Sequence, residues 1–273
     1  MAVVSTGTPT SLPAVRVITM DRPDRLNAMS MELVGRLADA FRQVSNDNEC
    51  AVVILTGANG AFCSGLDLKD HGDIPNIDGL TLPRIAPVAM EQYSVLTPLM
   101  RRVRQPMIAA IEGAAYGGGM CLALGCDIRI ASTSARFNAT GIVNGLTSTE
   151  LGASWLLPRL IGASAAFDLL LTGRVVEADE ARSMGLVSKV VEKDEALAHA
   201  LSLAGQMCRF STYGLQQTKA VLWANLETAG LESAIALEDR AQLLLGFTDN
   251  LPEAIRARQQ GRAPVYTDEP RTS

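Results

Sequence analysis

The apolar positions of this chain change period several times, and each change marks an element. Residues 14–20 alternate and are rich in Val and Ile, the pattern of a half-buried strand. From Asn27 or Ser30 to about Val44, the residues Met31, Val34, Leu37, Ala38 and Phe41 recur at helical spacing with polar residues opposite, which predicts a helix that buries one face. Residues 50–57 are apolar without interruption, as in a strand buried on both faces. The next buried strand is read at 106–113 and a further strand at 126–131, with a short apolar helix at 118–124 between them. Residues 135–138 read as extended, and 185–191 return to strand propensity. Helices are predicted over 90–103 with a kink at Pro98, from 151 with a cap at Thr147–Thr149 and Glu150 in the first turn, and over 163–171 and 177–184. From 194 onward the pattern is helical, over 194–208, 211–225, 230–246 and 251–259. The expected organisation is a flexible N-terminus at 1–13, an α/β core at 14–192, a helical region at 193–260 and a loose tail at 261–273.

Two turns stand out because they leave backbone N–H groups accessible. Ile111 to Leu124 runs from an apolar strand through Gly117, Gly118 and Gly119 into an apolar helix. The first N–H groups of a helix have no partner within it, and together with the helix dipole they favour negative charge. Gly57 to Lys69 holds a second turn at Ser64, Gly65 and Leu66, where small residues expose backbone donors. Residues 70–84, with His71, several Gly and Pro and no firm period, read as a flap or as surface decoration.

Composition narrows the setting. A chain of 273 residues, 48% of them hydrophobic, can bury one sizeable core with an appendage. Its 24 Lys and Arg against 29 Asp and Glu give a net charge of −5, with no basic block of nucleic-acid-binding length. The N-terminus lacks the charge and apolar core of a signal peptide and no run is long enough to span a membrane, so a cytoplasmic protein without membrane insertion is expected. The five cysteines show no metal-ligand spacing, and two histidines leave little for a metal site or a catalytic triad, so no metal is expected. The arginines at 101, 102 and 104 suit either a phosphate-bearing ligand or a solvated helix end.

Four segments in order carry a specific resemblance: Asp21–Ala28, Ala61–Leu68, Pro106–Asp127, and Leu157–Gly162 with Leu171–Gly173. Over about 14–260 the chain resembles the enoyl-CoA hydratase/isomerase, or crotonase, family. The resemblance implies an α/β fold, a spiral of repeated β-β-α units with a C-terminal helical trimerisation region, assembled as a homotrimer or as a hexamer of paired trimers. It implies an acyl-CoA thioester as substrate, coenzyme A as part of that substrate, and no separate cofactor. It also implies an oxyanion hole that holds the thioester enolate, with donors at Leu66 and Gly118. Ser64, Gly65, Asp67 and Leu68 would border the CoA moiety, and Tyr116, Gly117, Cys121 and Gly141 the acyl site. Asp67 has a second reading as a local loop cap.

The acid/base positions depart from the hydratase pattern. The two positions where hydratases carry glutamates are Cys121 and Gly141 here, and neither side chain can deprotonate water. Glu150 remains as a candidate base for moving a double bond, with a first-turn helix residue as the alternative. Asn138, Thr140, Asn144, Thr147, Ser148 and Thr149 are weaker candidates for orienting substrate. Cys121 reads either as a nucleophile at a helix start or as a small packed residue, and Tyr116 as a donor to the acyl pocket or as its wall. Three functions follow from these alternatives: an acyl-CoA hydratase or isomerase, an acyl-CoA-binding protein without turnover, and a structural trimeric partner.

Overall fold

A computed structural model describes residues 2–70 and 72–271; His71, placed by the sequence in the flap, lies outside the described residues. The chain starts with β1 (Val4–Gly7), where a flexible N-terminus was expected; this strand pairs antiparallel with β2 (Val15–Met20) and covers what would otherwise be an open sheet edge. Helix α1 (Met31–Asn46) follows, capped by the Ser30 side chain on Leu33 N–H, and leads to β3 (Val52–Gly57). Next come α2 (Leu82–Ser94) and α3 (Leu96–Arg102), then β4 (Met107–Ile111), β5 (Ala114–Tyr116), α4 (Gly118–Gly125), β6 (Ile128–Ser132) and β7 (Arg136–Asn138). Helices α5 (Ala153–Ile161) and α6 (Ala163–Thr172) precede β8 (Val176–Glu177), α7 (Ala178–Ser183) and β9 (Lys189–Val191). The chain ends in α8 (Ala196–Met207), α9 (Thr212–Asn225), α10 (Leu231–Gly246) and α11 (Asn250–Gln259).

The strands form two sheets. The larger has the order β1-β2-β3-β4-β6-β9 and is parallel apart from its β1 edge. The smaller has the order β5-β7-β8. Both faces of the larger sheet are covered, as its uninterrupted apolar strands require. Ile54, Ile108 and Ile130 point to Ala196, Ala200 and Ala204 of α8, whereas Val53, Leu55, Ala109 and Ile111 face the cluster that includes α1, α3 and α4.

Each turn of the chain lays one strand in the larger sheet, steps to the smaller one and returns through a helix. This makes the fold a spiral of β-β-α units with a helical C-terminal region. The step also explains a juxtaposition that the sequence does not show. Cys63 bridges Ala115 in parallel, and Ala115 pairs with Phe137. Three residues beyond each of these lie Leu66, Gly118 and Thr140, so parallel register brings three distant segments to one end of the smaller sheet.

Four further sequence expectations are corrected. Helix α2 begins at Leu82 inside the expected flap, because Pro83 sits in the first turn, where no N–H partner is needed. The break comes at Val95, and Pro98 lies in the first turn of α3. Helix α5 begins at Ala153 rather than 151, and Glu150 therefore precedes it instead of occupying its first turn. The tail is not loose over its described length: the Asp268 carboxylate accepts from Ser211 Oγ, Tyr213 N–H and Asn250 Nδ2, and Thr248 bridges Pro270.

Candidate active site

The loop at 64–66 is held by its backbone from both sides. Met29 N–H donates to Gly65 O at 2.7 Å and Asp67 N–H to Met29 O at 3.2 Å. The intervening Leu66 N–H has no acceptor among the described residues. Gly65 has φ +92°, and a Cβ there would lie 2.8 Å from Tyr116 O and 3.5 Å from Gly118 N. Only a glycine lets this loop lie flat on the glycine turn.

The turn itself is fixed by Tyr116 N–H on Cys63 O at 3.0 Å and Gly117 N–H on Asn138 O at 2.8 Å. Gly118 opens α4, so its N–H has no intrahelical acceptor. The bare α-carbons of this run face different neighbours. A Cβ on Gly119 would sit 2.0 Å from Cys63 O, which is how closely α4 packs on the neighbouring turn of the spiral. Gly117 has φ +49°, and a Cβ there would lie 2.5 Å from Thr140 Oγ1 and 3.2 Å from Glu150 Oε1. The Glu150 carboxylate and the Thr140 hydroxyl therefore both approach the face of Gly117.

Glu150 is half-buried, and desolvation by burial raises its carboxyl above the ordinary value of 4.5. Behind it, Cys121 is 1% exposed and its Sγ lies 3.5 Å from Glu150 O. Burial pushes the Cys121 thiol well above its ordinary value, and the Glu150 and Cys63 charges add to this, so it is a neutral packed thiol and not a nucleophile. Gly141 is packed against backbone, because a Cβ there would meet Thr147 O at 2.0 Å. A glutamate at that position requires the 147–148 segment to move.

The remaining predicted residues divide between the site and its supports. Leu66 and Leu68 are exposed beside the donors, and Tyr116 is half-buried. The Ser64 hydroxyl donates to Arg25 O at 3.3 Å. Asp67, expected to border CoA, is buried and turned inward, where it accepts from Lys69 N–H at 3.1 Å and Asp70 N–H at 2.9 Å. Its Oδ2 lies 2.9 Å from Arg22 Nη2 without meeting hydrogen-bond angles, an ion pair held by charge more than by direction. Burial opposes ionisation of Asp67, but the Asp70 and Lys69 N–H groups and Arg22 outweigh it and hold the carboxyl below its usual value. Asp67 is thus a loop cap. The Ser148 hydroxyl is likewise occupied within its loop, donating to Ala139 O and accepting from Ile142 N–H, both at 3.0 Å. Asn138 Nδ2 is given to Gly173 O.

Of the arginines at the end of α3 and just beyond it, Arg101 and Arg104 are engaged internally and Arg102 is exposed. Arg101 stacks between Trp155 and Trp223 at 4.8 and 4.7 Å and pairs with Glu227, while Arg104 donates to Ser45 O and Asn48. Three supporting residues were missed by sequence reasoning. Met29 pins the loop, the Asn27 side-chain amide donates to Ala58 O at 3.0 Å and Ala61 O at 2.7 Å and so holds the segment that carries Met29, and Thr97 donates to Leu151 O at 2.8 Å. A threonine on the apolar face of a predicted helix was the only signal for the last. A cleft of about 570 Å³ lined by Phe210, Leu222, Leu245 and Tyr266 lies among the C-terminal helices, away from these donors. The candidate site is located by its convergent donors and carboxylate, not by volume, because chemistry needs groups that converge.

The spiral of β-β-α units brings the Leu66 and Gly118 N–H groups, neither with an acceptor among the described residues, to adjacent turns, with the Glu150 carboxylate near Gly117. The family model "Enoyl-CoA hydratase/isomerase" matches residues 11–269. A "probable enoyl-CoA hydratase" of Mycobacterium bovis is 46% identical over 258 residues, covering 94% of this chain and 90% of that one. The 1,2-epoxyphenylacetyl-CoA isomerase of Escherichia coli is 34% identical over 258 residues, covering 93% and 95%. The crystal structure of a "probable enoyl-CoA hydratase/isomerase" from Mycobacterium abscessus superposes with a TM-score of 0.93 at 43% identity, covering 98% of this chain and 100% of that one. The chain belongs to the enoyl-CoA hydratase/isomerase (crotonase) family, and it is an acyl-CoA-processing enzyme.

Proposed function

We propose that the enzyme holds the carbonyl oxygen of an acyl-CoA thioester between the N–H groups of Leu66 and Gly118 and moves a double bond by proton transfer through Glu150. The observation that carries this reading is the approach of the Glu150 carboxylate to Gly117, next to the free Gly118 N–H. With a 3-enoyl-CoA, ionised Glu150 removes a proton from C2. The electron pair moves into the thioester carbonyl, giving a dienolate whose oxygen accepts from the two N–H groups. Glu150 then returns the proton at C4, which leaves the double bond between C2 and C3 with no net change in atoms or electrons. Preformed donors of this kind contribute about 3 kcal/mol each, and the α4 dipole favours the charge.

A carboxylate raised by burial is better matched to proton transfer near neutral pH than an exposed one. Ser64, Gly65, Leu68, Tyr116 and Gly117 border the thioester in this reading, while Asp67, Cys121 and Gly141 act from behind. Coenzyme A enters only as part of the substrate, and no further cofactor is used. Hydration needs a second carboxylate to position water, and Cys121 and Gly141 supply none, so isomerisation is favoured over hydration. The likeness to a solved monofunctional enoyl-CoA isomerase of M. smegmatis, 40% identical with a TM-score of 0.71, supports this choice. Copies of the chain assemble as a homotrimer or a hexamer of paired trimers.

The test supplies purified enzyme with 3-hexenoyl-CoA and with trans-2-hexenoyl-CoA and follows the products. Isomerisation is expected to exceed hydration, and Glu150→Gln to lower it by roughly a thousandfold while calorimetric binding of the thioester persists. The acidic limb of the rate profile is expected above the ordinary glutamate value of 4.5 and absent in the variant. Undiminished isomerisation by Glu150→Gln removes the assigned role.

A further inference from the structure

The Glu150 carboxylate has no hydrogen bond or ion pair among the described residues, so its aim is set by the backbone that carries it. That backbone is unusual: Leu151 has φ +45° and Gly152 φ +88°, two consecutive left-handed residues of which one bears a branched side chain. An L residue stays in this region only when its surroundings hold it there. Two buried donors from different helices do so. Thr97 of α3, 4% exposed, gives its hydroxyl to Leu151 O at 2.8 Å. Cys121 of α4 places its thiol 3.5 Å from Glu150 O, which also accepts Ala153 N–H at 2.7 Å.

We infer that Thr97 and Cys121 are positioning residues, a two-helix clamp on consecutive carbonyls that aims the Glu150 carboxylate at the face of Gly117. The catalytic consequence rests on the proton-transfer reading of Glu150 given above. Neither residue touches substrate. Thr97 acts from the far side of the loop, where its Cγ2 also lies 3.7 Å from the Cβ position of Gly152. The titratable group facing Glu150 among the described residues is Cys121 itself, on α4. Cys121 thus does a different task from the carboxylate that hydratases carry at its position: it holds the segment that supplies the acid/base group.

The experiment compares Thr97→Val, which keeps the shape and removes the hydroxyl, with Thr97→Ser, which keeps the hydroxyl, alongside Cys121→Ala and Glu150→Gln. With 3-hexenoyl-CoA, Thr97→Val is expected to lower kcat by about tenfold or more with KM within about twofold, since small misplacement of a reacting group costs rate before binding. Its acidic limb is expected to move down toward 4.5 as the carboxylate turns to water, and Thr97→Ser to restore both. Cys121→Ala is expected to change kcat in the same direction by about threefold. Hydrogen exchange of the Ala153 amide is expected to quicken in Thr97→Val and Cys121→Ala and to match the parent in Thr97→Ser. Should Thr97→Val not accumulate as folded protein, Cys121→Ala carries the comparison.

If Thr97→Val keeps the parent kcat and acidic limb while Glu150→Gln is inactive, the clamp is overturned and proton transfer by Glu150 stands. If Glu150→Gln retains full turnover, proton transfer by Glu150 is removed. Ala153 exchange then decides the clamp by itself: faster exchange in Thr97→Val supports it and unchanged exchange overturns it.

Discussion

Asp67 and Glu150 show how the same side-chain type is turned to opposite ends. Asp67 is ringed by donors: two N–H groups of its own loop and the Arg22 guanidinium. Glu150 has burial without donors. One carboxyl is therefore held below its ordinary value and the other above it. For Asp67 the linkage has a definite sign. A carboxyl lowered by folding contributes stability above its unfolded value, and that contribution is lost as pH falls through the lowered folded value. Asp67→Asn, which leaves the half-buried Arg22 without its counter-charge, is expected to destabilise the protein by about 2 kcal/mol at neutral pH. It is also expected to flatten the acid side of the stability profile, and urea unfolding at several pH values measures both effects. The sequence offered two readings of Asp67, ligand contact and loop cap. It could not choose, because whether the side chain turns in to its own loop's N–H groups or out to a ligand is settled by packing, which includes an ion pair to Arg22, 45 positions earlier.

Among the elements, α9 docks on the core in an unexpected way. It has no apolar stripe, and the residue it buries is Lys219, 5% exposed. Lys219 Nζ lies 3.0 Å from Asp127 Oδ2 and donates to Met100 O at 3.3 Å and Gln105 O at 3.0 Å. Trp223 Nε1 donates to Asp127 Oδ1 at 2.6 Å. These contacts tie the C-terminal helices to the end of α3 and the start of β6. Lys219→Met strands the Asp127 charge and is expected to cost about 3 kcal/mol, with the loss read by thermal unfolding and by faster hydrogen exchange in α9. Helices α1 and α8 were readable because a single buried face writes itself into the spacing, and β3 and β4 because burial on both faces leaves a continuous apolar run. Helix α2 was not, since its Pro83 and Pro87 carry the composition of a loop.

At the scale of the whole molecule, the C-terminal region is covered on one side only. Helix α10 buries no residue in the isolated chain, and Leu231 and Phe247 are 76% and 72% exposed. Exposed apolar residues in this number on adjacent helices mark an interface, which is the basis in this chain for the proposed assembly. Light scattering coupled to gel filtration is expected to give three copies of the 29.0 kDa chain or six. A mass of one chain removes that assembly. Among the described residues no helix is long and apolar enough to cross a membrane.

Hydrophobic period and motif order were enough to determine most core strands and helices, though not β1 or α2, and the family resemblance, because these depend on residues near one another in the chain. The resemblance also implied that Cys121 and Gly141 stand where hydratases carry carboxylates. What it left open required contacts between distant positions. Parallel register between Cys63, Ala115 and Phe137 brings Leu66, Gly118 and Thr140 together. The left-handed backbone at Leu151 and Gly152, held by Thr97 and Cys121, takes Glu150 off its helix and points it at Gly117. Neither follows from local spacing, since a parallel pairing or a buried side chain gripping a remote carbonyl exists only once the intervening chain has folded.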